Sequence, residues 1–278
     1  MNRQAAAGAA VLGAALAAGC AHRVPPLDPD APIQWARKIP FEGRSLTLHL
    51  SRPCTLDPAH PLLLFATGDG GWRGKDKDAY EHIVRWGYPA AGFSAPEYLS
   101  LIRRRGHETT PADVGSDYAS FIGAAKDALS LTGPVPTILV GVSRGSGLAV
   151  AAAGQASLQP ELAGIVTVAL TREEEYVHRF LRRRRSSNRE LVMLENYEYL
   201  PRLRQLPLSI IQSTHDDYLP ADQARQLLGP DTALRKLHAI PSKNHSFTDA
   251  RPELYDTLRA SLAWVAHMHL DAAAEVQP

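Results

Sequence analysis

The stretch ILVGVSRGSG, Ile138 to Gly147, decides the reading of this chain. Gly141 stands two places before Ser143 and Gly145 two places after it, directly behind the apolar run Val135 to Val140. A short continuous apolar run bounded by turn residues is the pattern of a buried strand, and a helix is expected from about Gly145 to Gln155. The corner between them has two readings. It is a tight turn that needs small residues, or it is a mount for a nucleophile, with the hydroxyl exposed at the rim of a sheet by a strained backbone.

The surroundings of the stretch repeat one pattern. SLTLHL (Ser45 to Leu50) alternates as a half-buried strand does, and PLLLFATG (Pro61 to Gly68) and YPAAGFSA (Tyr88 to Ala95) are short apolar runs. Asp76 to Trp86 between the latter two mixes charge with apolar spacing, which makes a strand-helix-strand unit and predicts a parallel sheet. Pro111 to Leu131 opens with proline and an acidic first turn and sets Tyr118, Ile122, Ala125 and Leu129 at helical spacing. Further strands are expected at Gly164–Leu170, Leu208–Thr214 and Leu234–Ile240, with helices near Ala221–Leu228 and Arg251–His269. The expected fold class is α/β: an open, mostly parallel sheet covered by helices on both faces. Residues 171–206 are longer than a plain crossover needs and are expected to form a small cap over the carboxyl ends of the strands, where such sheets place ligands.

With 278 residues, 45% of them hydrophobic, the chain can bury one large core as a single domain. A net charge of +1 and few aromatics give no case for a nucleic-acid partner. Only Cys20 and Cys54 are present, which excludes a cysteine-built metal site, and His215 beside Asp216 and Asp217 has no second ligand cluster to join. No metal or organic cofactor is expected.

If Ser143 is a nucleophile, its partners should follow in the order acid, then histidine, each on a loop after a later strand. The strand Leu208–Thr214 runs into HDDYLP, and Asp216, followed by two residues, an aliphatic and a proline, has the frequent form of the acid loop in α/β-hydrolases; Asp217 is the fallback. The strand ending at Ile240 runs into PSKNHSF and places His245 where a general base belongs, whereas His238 inside that strand reads as structural. ATGDGGW (Ala66 to Trp72) follows an early strand, and the N–H of Asp69 or Gly70 could pair with that of Arg144 to hold an oxyanion.

TGDGGWRGKDK (Thr67 to Lys77), followed by PEYLSLIRRRGHETTPADVGSDYASFI (Pro96 to Ile122) and the serine elbow, resembles the bacterial virulence protein VirJ family, to which the carboxyl-terminal domain of AcvB belongs. The resemblance spans roughly Pro61 to Phe247. It implies an exported α/β-hydrolase with Ser143, Asp216 and His245 as its triad. It also implies a substrate class, aminoacylated phosphatidylglycerol, and a link to type IV secretion. After its serine the family usually has an aromatic residue followed by glycine-alanine-aspartate, where this chain has Arg144, Gly145, Ser146 and Gly147.

The amino terminus carries Arg3 and then the alanine-rich stretch Ala5 to Ala18, too short to span a membrane and suited to an export signal. It ends in LAAGC, which resembles the lipobox of bacterial lipoproteins with Cys20 as the lipidated residue; Ala17 stands where leucine is preferred, so ordinary signal-peptidase cleavage remains the alternative. If Cys20 is lipidated Cys54 has no cysteine left to pair with, and if it is not, a Cys20–Cys54 disulfide is open. The expected organisation is a signal at 1–20, a proline-rich tether at 21–34, an α/β-hydrolase domain at 35–270 and a flexible tail at 271–278. The basic run HRFLRRRRSSNRE (His178 to Glu190) reads as a solvated face paired with Glu173, Glu174 and Glu175, or as an attraction to anionic headgroups beside a membrane. The chain is therefore expected to be a periplasmic, membrane-anchored serine ester hydrolase acting on an aminoacylated or otherwise anionic phospholipid. A general carboxylesterase is the enzymatic alternative. From a different class stands a non-catalytic binding module of an envelope or secretion assembly.

Overall fold

The computed structural model describes residues 31–57, 60–178 and 191–276. The expected export signal, Cys20 and most of the basic run lie outside them. Eight strands form one sheet: β1 (Ile33–Phe41), β2 (Arg44–Arg52), β3 (Leu62–Ala66), β4 (Ala90–Phe93), β5 (Thr137–Val142), β6 (Leu162–Val168), β9 (Leu208–Ser213) and β10 (Arg235–Ile240). Their order is β1-β2-β4-β3-β5-β6-β9-β10. The β1–β2 and β2–β4 pairs are antiparallel, and every pair from β4 onward is parallel.

Because a parallel sheet is buried on both faces, its strands are apolar throughout, and alternate residues enter two cores. In β3, Leu62, Leu64 and Ala66 face one core, while Leu63 and Phe65 face the other. The first core is closed by α2 (Ala95–Ile102), α3 (Pro111–Leu129), α4 (Arg144–Ala153) and α6 (Ala221–Leu228); the second is closed by α1 (Gly74–Arg85) and α7 (Arg251–Val276). Helix α3 begins as its sequence dictates: the Thr110 hydroxyl accepts from the Asp113 N–H, the Asp113 carboxylate accepts from the Thr110 N–H, and Pro111 fills the first turn. No helix among the described residues is long and apolar enough to cross a membrane.

Two boundaries differ from expectation, and two segments hold elements not individually expected. Strand β1 begins at Ile33, inside the expected tether, and was hidden because it is an edge strand with most of its residues exposed. Helix α7 continues to Val276, through most of the expected tail. Helix α2, capped by Ser94, was not separately expected. The expected cap at 171–206 contains an antiparallel hairpin, β7 (Glu173–His178) and β8 (Leu191–Glu195), followed by the short helix α5 (Asn196–Tyr199).

The chain winds from β3 to β4 on one side, then crosses back to β5 on the other. The loops after β3 and β5 therefore diverge at a topological switch point, which opens a crevice at the carboxyl edge of the sheet.

Candidate active site

Ser143 lies between β5 and α4 with φ 52° and ψ −117°, a backbone state that costs a non-glycine residue about 1–3 kcal/mol. Two close approaches hold it there. A Cβ on Gly145 would come within 2.2 Å of the Ala66 carbonyl oxygen, and one on Gly141 within 2.3 Å of the Gly145 oxygen. The turn is further pinned by the buried Ser146 hydroxyl, which donates to the carbonyls of Gly141 (2.8 Å) and Val168 (2.9 Å).

The loop after β9 turns on Asp216, which is 3% exposed. Its Oδ1 accepts from the backbone N–H groups of Tyr218 (2.8 Å) and Leu219 (3.3 Å), and its Oδ2 from the Gln212 side chain (3.0 Å). The remaining acceptor direction is taken by His245 Nδ1 at 2.7 Å, and Nε2 of the same ring lies 2.8 Å from Ser143 Oγ. With the carboxylate as acceptor, Nδ1 carries the proton and Nε2 is left to accept from the serine. Asp217, the fallback acid, is exposed on the same loop.

The loop carrying His245 is tied internally. Asn244 Oδ1 accepts from the N–H groups of Ser246 and Thr248, and Asp249 Oδ1 accepts from the Ser242 hydroxyl and the Lys243 N–H. Lys75, at the start of α1, donates to the Ser246 hydroxyl at 2.5 Å, and partial burial lowers its pKa. Tyr218, 70% exposed, sets its ring edge-on to His245 with centroids 4.8 Å apart.

The loop after β3 meets the elbow from the other side. Asp69 and Gly70 line the same cleft as Ser143 and Arg144, and among the described residues the N–H groups of Asp69 and Gly70 donate to nothing in the protein. The preceding N–H, that of Gly68, donates to Asp76 Oδ2 at 2.7 Å. At the loop's far end Trp72 stacks on His49, centroids 3.9 Å apart and planes 3° from parallel.

The cleft has a volume of about 540 Å³, and its wall carries the charged residues Lys75, Arg144, Arg172, Asp69, Glu173 and Glu174. The Arg144 guanidinium bridges the Asp69 and Glu174 carboxylates, the latter at 2.9 Å. Glu174 also accepts from the Thr171 hydroxyl at 3.0 Å, and burial raises its pKa. This corrects the reading of Glu174 as a partner of the solvated basic face, since the residue is 9% exposed and lines the cleft. Asp76, Lys75 and Tyr218 were not singled out from sequence. An acid in the first turn of a helix ordinarily signals only a favourable place in the helix dipole. Among the described residues no group of three or more His, Cys, Asp or Glu could hold a metal ion.

Residues 61–180 match the family model described as Bacterial virulence protein (VirJ), and residues 174–269 match that of PhoPQ-activated pathogenicity-related protein. No curated protein matches the chain. Among solved structures, a proposed dienelactone hydrolase from Klebsiella pneumoniae subsp. pneumoniae MGH 78578 is similar at TM-score 0.61 and 16% identity, over 84% of this chain and 99% of that one. Est1E from Butyrivibrio proteoclasticus is similar at TM-score 0.58 and 13% identity, over 86% and 99%. An alpha-beta serine hydrolase homologue from Coxiella burnetii is similar at 0.57 and 15%, over 81% and 95%. The chain thus has the α/β-hydrolase fold, and across residues 61–180 it carries the sequence match to the VirJ virulence-protein family.

Proposed function

We propose that the protein is an exported serine hydrolase that cleaves a carboxylic ester. The observation that carries this reading is the continuous chain Ser143 Oγ to His245 Nε2 at 2.8 Å and His245 Nδ1 to Asp216 Oδ2 at 2.7 Å. Ser143 attacks the ester carbonyl while His245 Nε2 takes its proton, and Asp216 holds the ring and stabilises the imidazolium. The oxyanion is held by the N–H groups of Asp69 and Arg144, with Gly70 beside them; one such donor is worth about 3 kcal/mol in the transition state. His245 returns the proton to the leaving alcohol. Water then repeats the sequence on the acyl-enzyme, giving the free acid and restoring the serine.

The finer substrate in this reading is an aminoacyl ester of phosphatidylglycerol. It is supported by the VirJ family match and by Glu173, an exposed acid in the cleft wall suited to an ammonium group beside the ester, whereas Asp69 and Glu174 are engaged by Arg144. Export and lipidation at Cys20 belong to the same reading and rest on the sequence of the first twenty residues. Labelled palmitate on the wild-type protein and none on Cys20→Ser is the expected outcome, and an unlabelled wild type removes the anchor.

The reaction is tested with a fluorophosphonate probe. Labelling of the wild type that vanishes in Ser143→Ala is expected, whereas a folded wild type that never labels would leave a binding module in place of an enzyme. The substrate is tested by comparing membrane lipids with and without the protein. Aminoacylated lipid should accumulate in its absence; no change in that class alongside turnover of simple esters would make the protein a general carboxylesterase.

A further inference from the structure

Asp76 sits in the first turn of α1, is 1% exposed and takes no part in the proton path described above. Its Oδ2 accepts the Gly68 N–H at 2.7 Å, while its Oδ1 is buried and has no hydrogen-bond partner among the described residues. Burying a carboxylate with one oxygen unsatisfied is costly, and a stability role alone would be served better by an apolar residue or a fully bonded amide. The cost falls beside the reacting atoms. Asp76 shares a cavity of about 20 Å³ with His245, Phe247 and Arg251, and the Gly68 amide that it holds immediately precedes Asp69.

Resting on the hydrolase reading, we propose that Asp76 is a positioning residue that sets the oxyanion hole through the Gly68 amide. The loop from Thr67 to Trp72 could in principle swing in the plane of the sheet rim. It is fixed at one end by the Thr67 N–H donating to the Phe93 carbonyl and by the Thr67 hydroxyl accepting from the Ala95 N–H. Trp72 anchors the other end against His49, Phe65 and Tyr80. Between these anchors, the Gly68–Asp76 bond fixes the peptide next to the Asp69 donor. A Cβ on Gly68 would lie 3.2 Å from Ser143 Cβ, so this peptide also packs directly against the nucleophile. A shift of the loop of a few tenths of an ångström would move the donor relative to the oxyanion without altering the Ser143–His245 bond.

The charged and titratable groups around the carboxylate are Lys75 on α1, Arg251 on α7 and His245 on the loop between β10 and α7. Burial raises the pKa of Asp76, opposed by the Gly68 bond and then by the charges of Lys75 and Arg251. An asparagine would keep the acceptor for Gly68 and place a neutral amide at the unpartnered position.

The experiment compares wild type, Asp76→Asn, Asp76→Ala and Asp76→Ser. Two quantities are read well below each melting temperature: p-nitrophenyl butyrate hydrolysis, resolved into kcat and KM, and the rate of Ser143 labelling by the fluorophosphonate. Asp76→Ala is expected to lower kcat and the labelling rate by about 10- to 100-fold with KM within about twofold, as for a displaced oxyanion donor. Asp76→Asn is expected to stay within about threefold of wild type. If Asp76→Ala does not fold, Asp76→Ser, whose shorter hydroxyl cannot reach Gly68, takes its place with the same expected loss. Full kcat in the folded Ala or Ser variant overturns the proposal, as does a loss in Asp76→Asn equal to that in Asp76→Ala. A wild type inert to both reagents instead overturns the hydrolase reading itself, so the two failures are separable.

Discussion

At Asp216 and Asp217 two neighbouring carboxylates have opposite surroundings. Asp216 is buried and fully engaged by two backbone N–H groups, Gln212 and His245, while Asp217 is left in solvent. Asp216→Asn would keep the shape and present the wrong tautomer to Nδ1, so kcat should fall by about 10⁴-fold, whereas Asp217→Asn should leave it within about twofold. Steady-state kinetics on the two variants check this, and equal losses would reassign the acid. Asp216 is the acid favoured by the sequence, because an acid followed by two residues, an aliphatic and a proline is the frequent form of this loop in α/β-hydrolases, and it is the one whose Oδ2 lies against His245 Nδ1. The Ser143 elbow was legible for a related reason, since Gly141 and Gly145 sit where a Cβ would strike backbone atoms that no side-chain rearrangement can move. Asp76 was not. Its role depends on which way a helix meets the sheet, and nothing local to GKDKD encodes that.

Among the elements, strand β2, helix α1 and the loop after β3 are joined through His49. Its ring stacks on Trp72, and its carbonyl accepts from the Tyr80 hydroxyl at 3.0 Å. Burial, and second the charge of Lys77, lowers the His49 pKa to about 4 from the usual 6.5. In the unfolded chain the imidazole takes up its proton at the higher pH, so the unfolded state binds more protons in between, and stability falls as the pH drops from 6.5 towards 4. Because the ring is only half-buried, the loss should be modest, about 1–2 kcal/mol. Denaturant titrations across that range should give a shallower slope for His49→Gln than for wild type, and an unchanged slope would assign the acid sensitivity elsewhere. Elements with a continuous apolar run or a strong cap, such as β3, β5 and α3, were readable from sequence to within a few residues. Strand β1 and the β7–β8 hairpin were not, because their stability comes from pairing and from contacts made after the sheet exists.

On the scale of the whole molecule, Arg105 ties parts of the fold that are distant in sequence. Its side chain is 4% exposed, donates to Glu42 in the β1–β2 turn (2.6 Å) and to both oxygens of Asp117 in α3 (2.7 Å), and shares Asp117 with the Tyr98 hydroxyl of α2 (2.6 Å). Removing Arg105 leaves the largely buried Asp117 carboxylate without its counter-charge and with only the Tyr98 hydroxyl donating to it, so Arg105→Ala should cost about 2–4 kcal/mol and lower Tm by about 10 °C. Calorimetry on the variant measures it, and a loss below about 1 kcal/mol would mean that solvent already screens the pair. The mostly parallel, helix-covered sheet followed from alternating strand and helix patterns, whereas its strand order and this network did not, because Glu42, Tyr98, Arg105 and Asp117 carry no shared spacing.

Ser143 and His245 meet across 102 residues of chain, and the strands that present them are assembled only when β9 and β10 have joined the sheet. No fragment ending before residue 245 can hold the reactive pair. The residues from 245 onward thus act as a built-in safety catch: an extended or truncated chain lacks the hydroxyl–imidazole contact, which exists only where folding has finished.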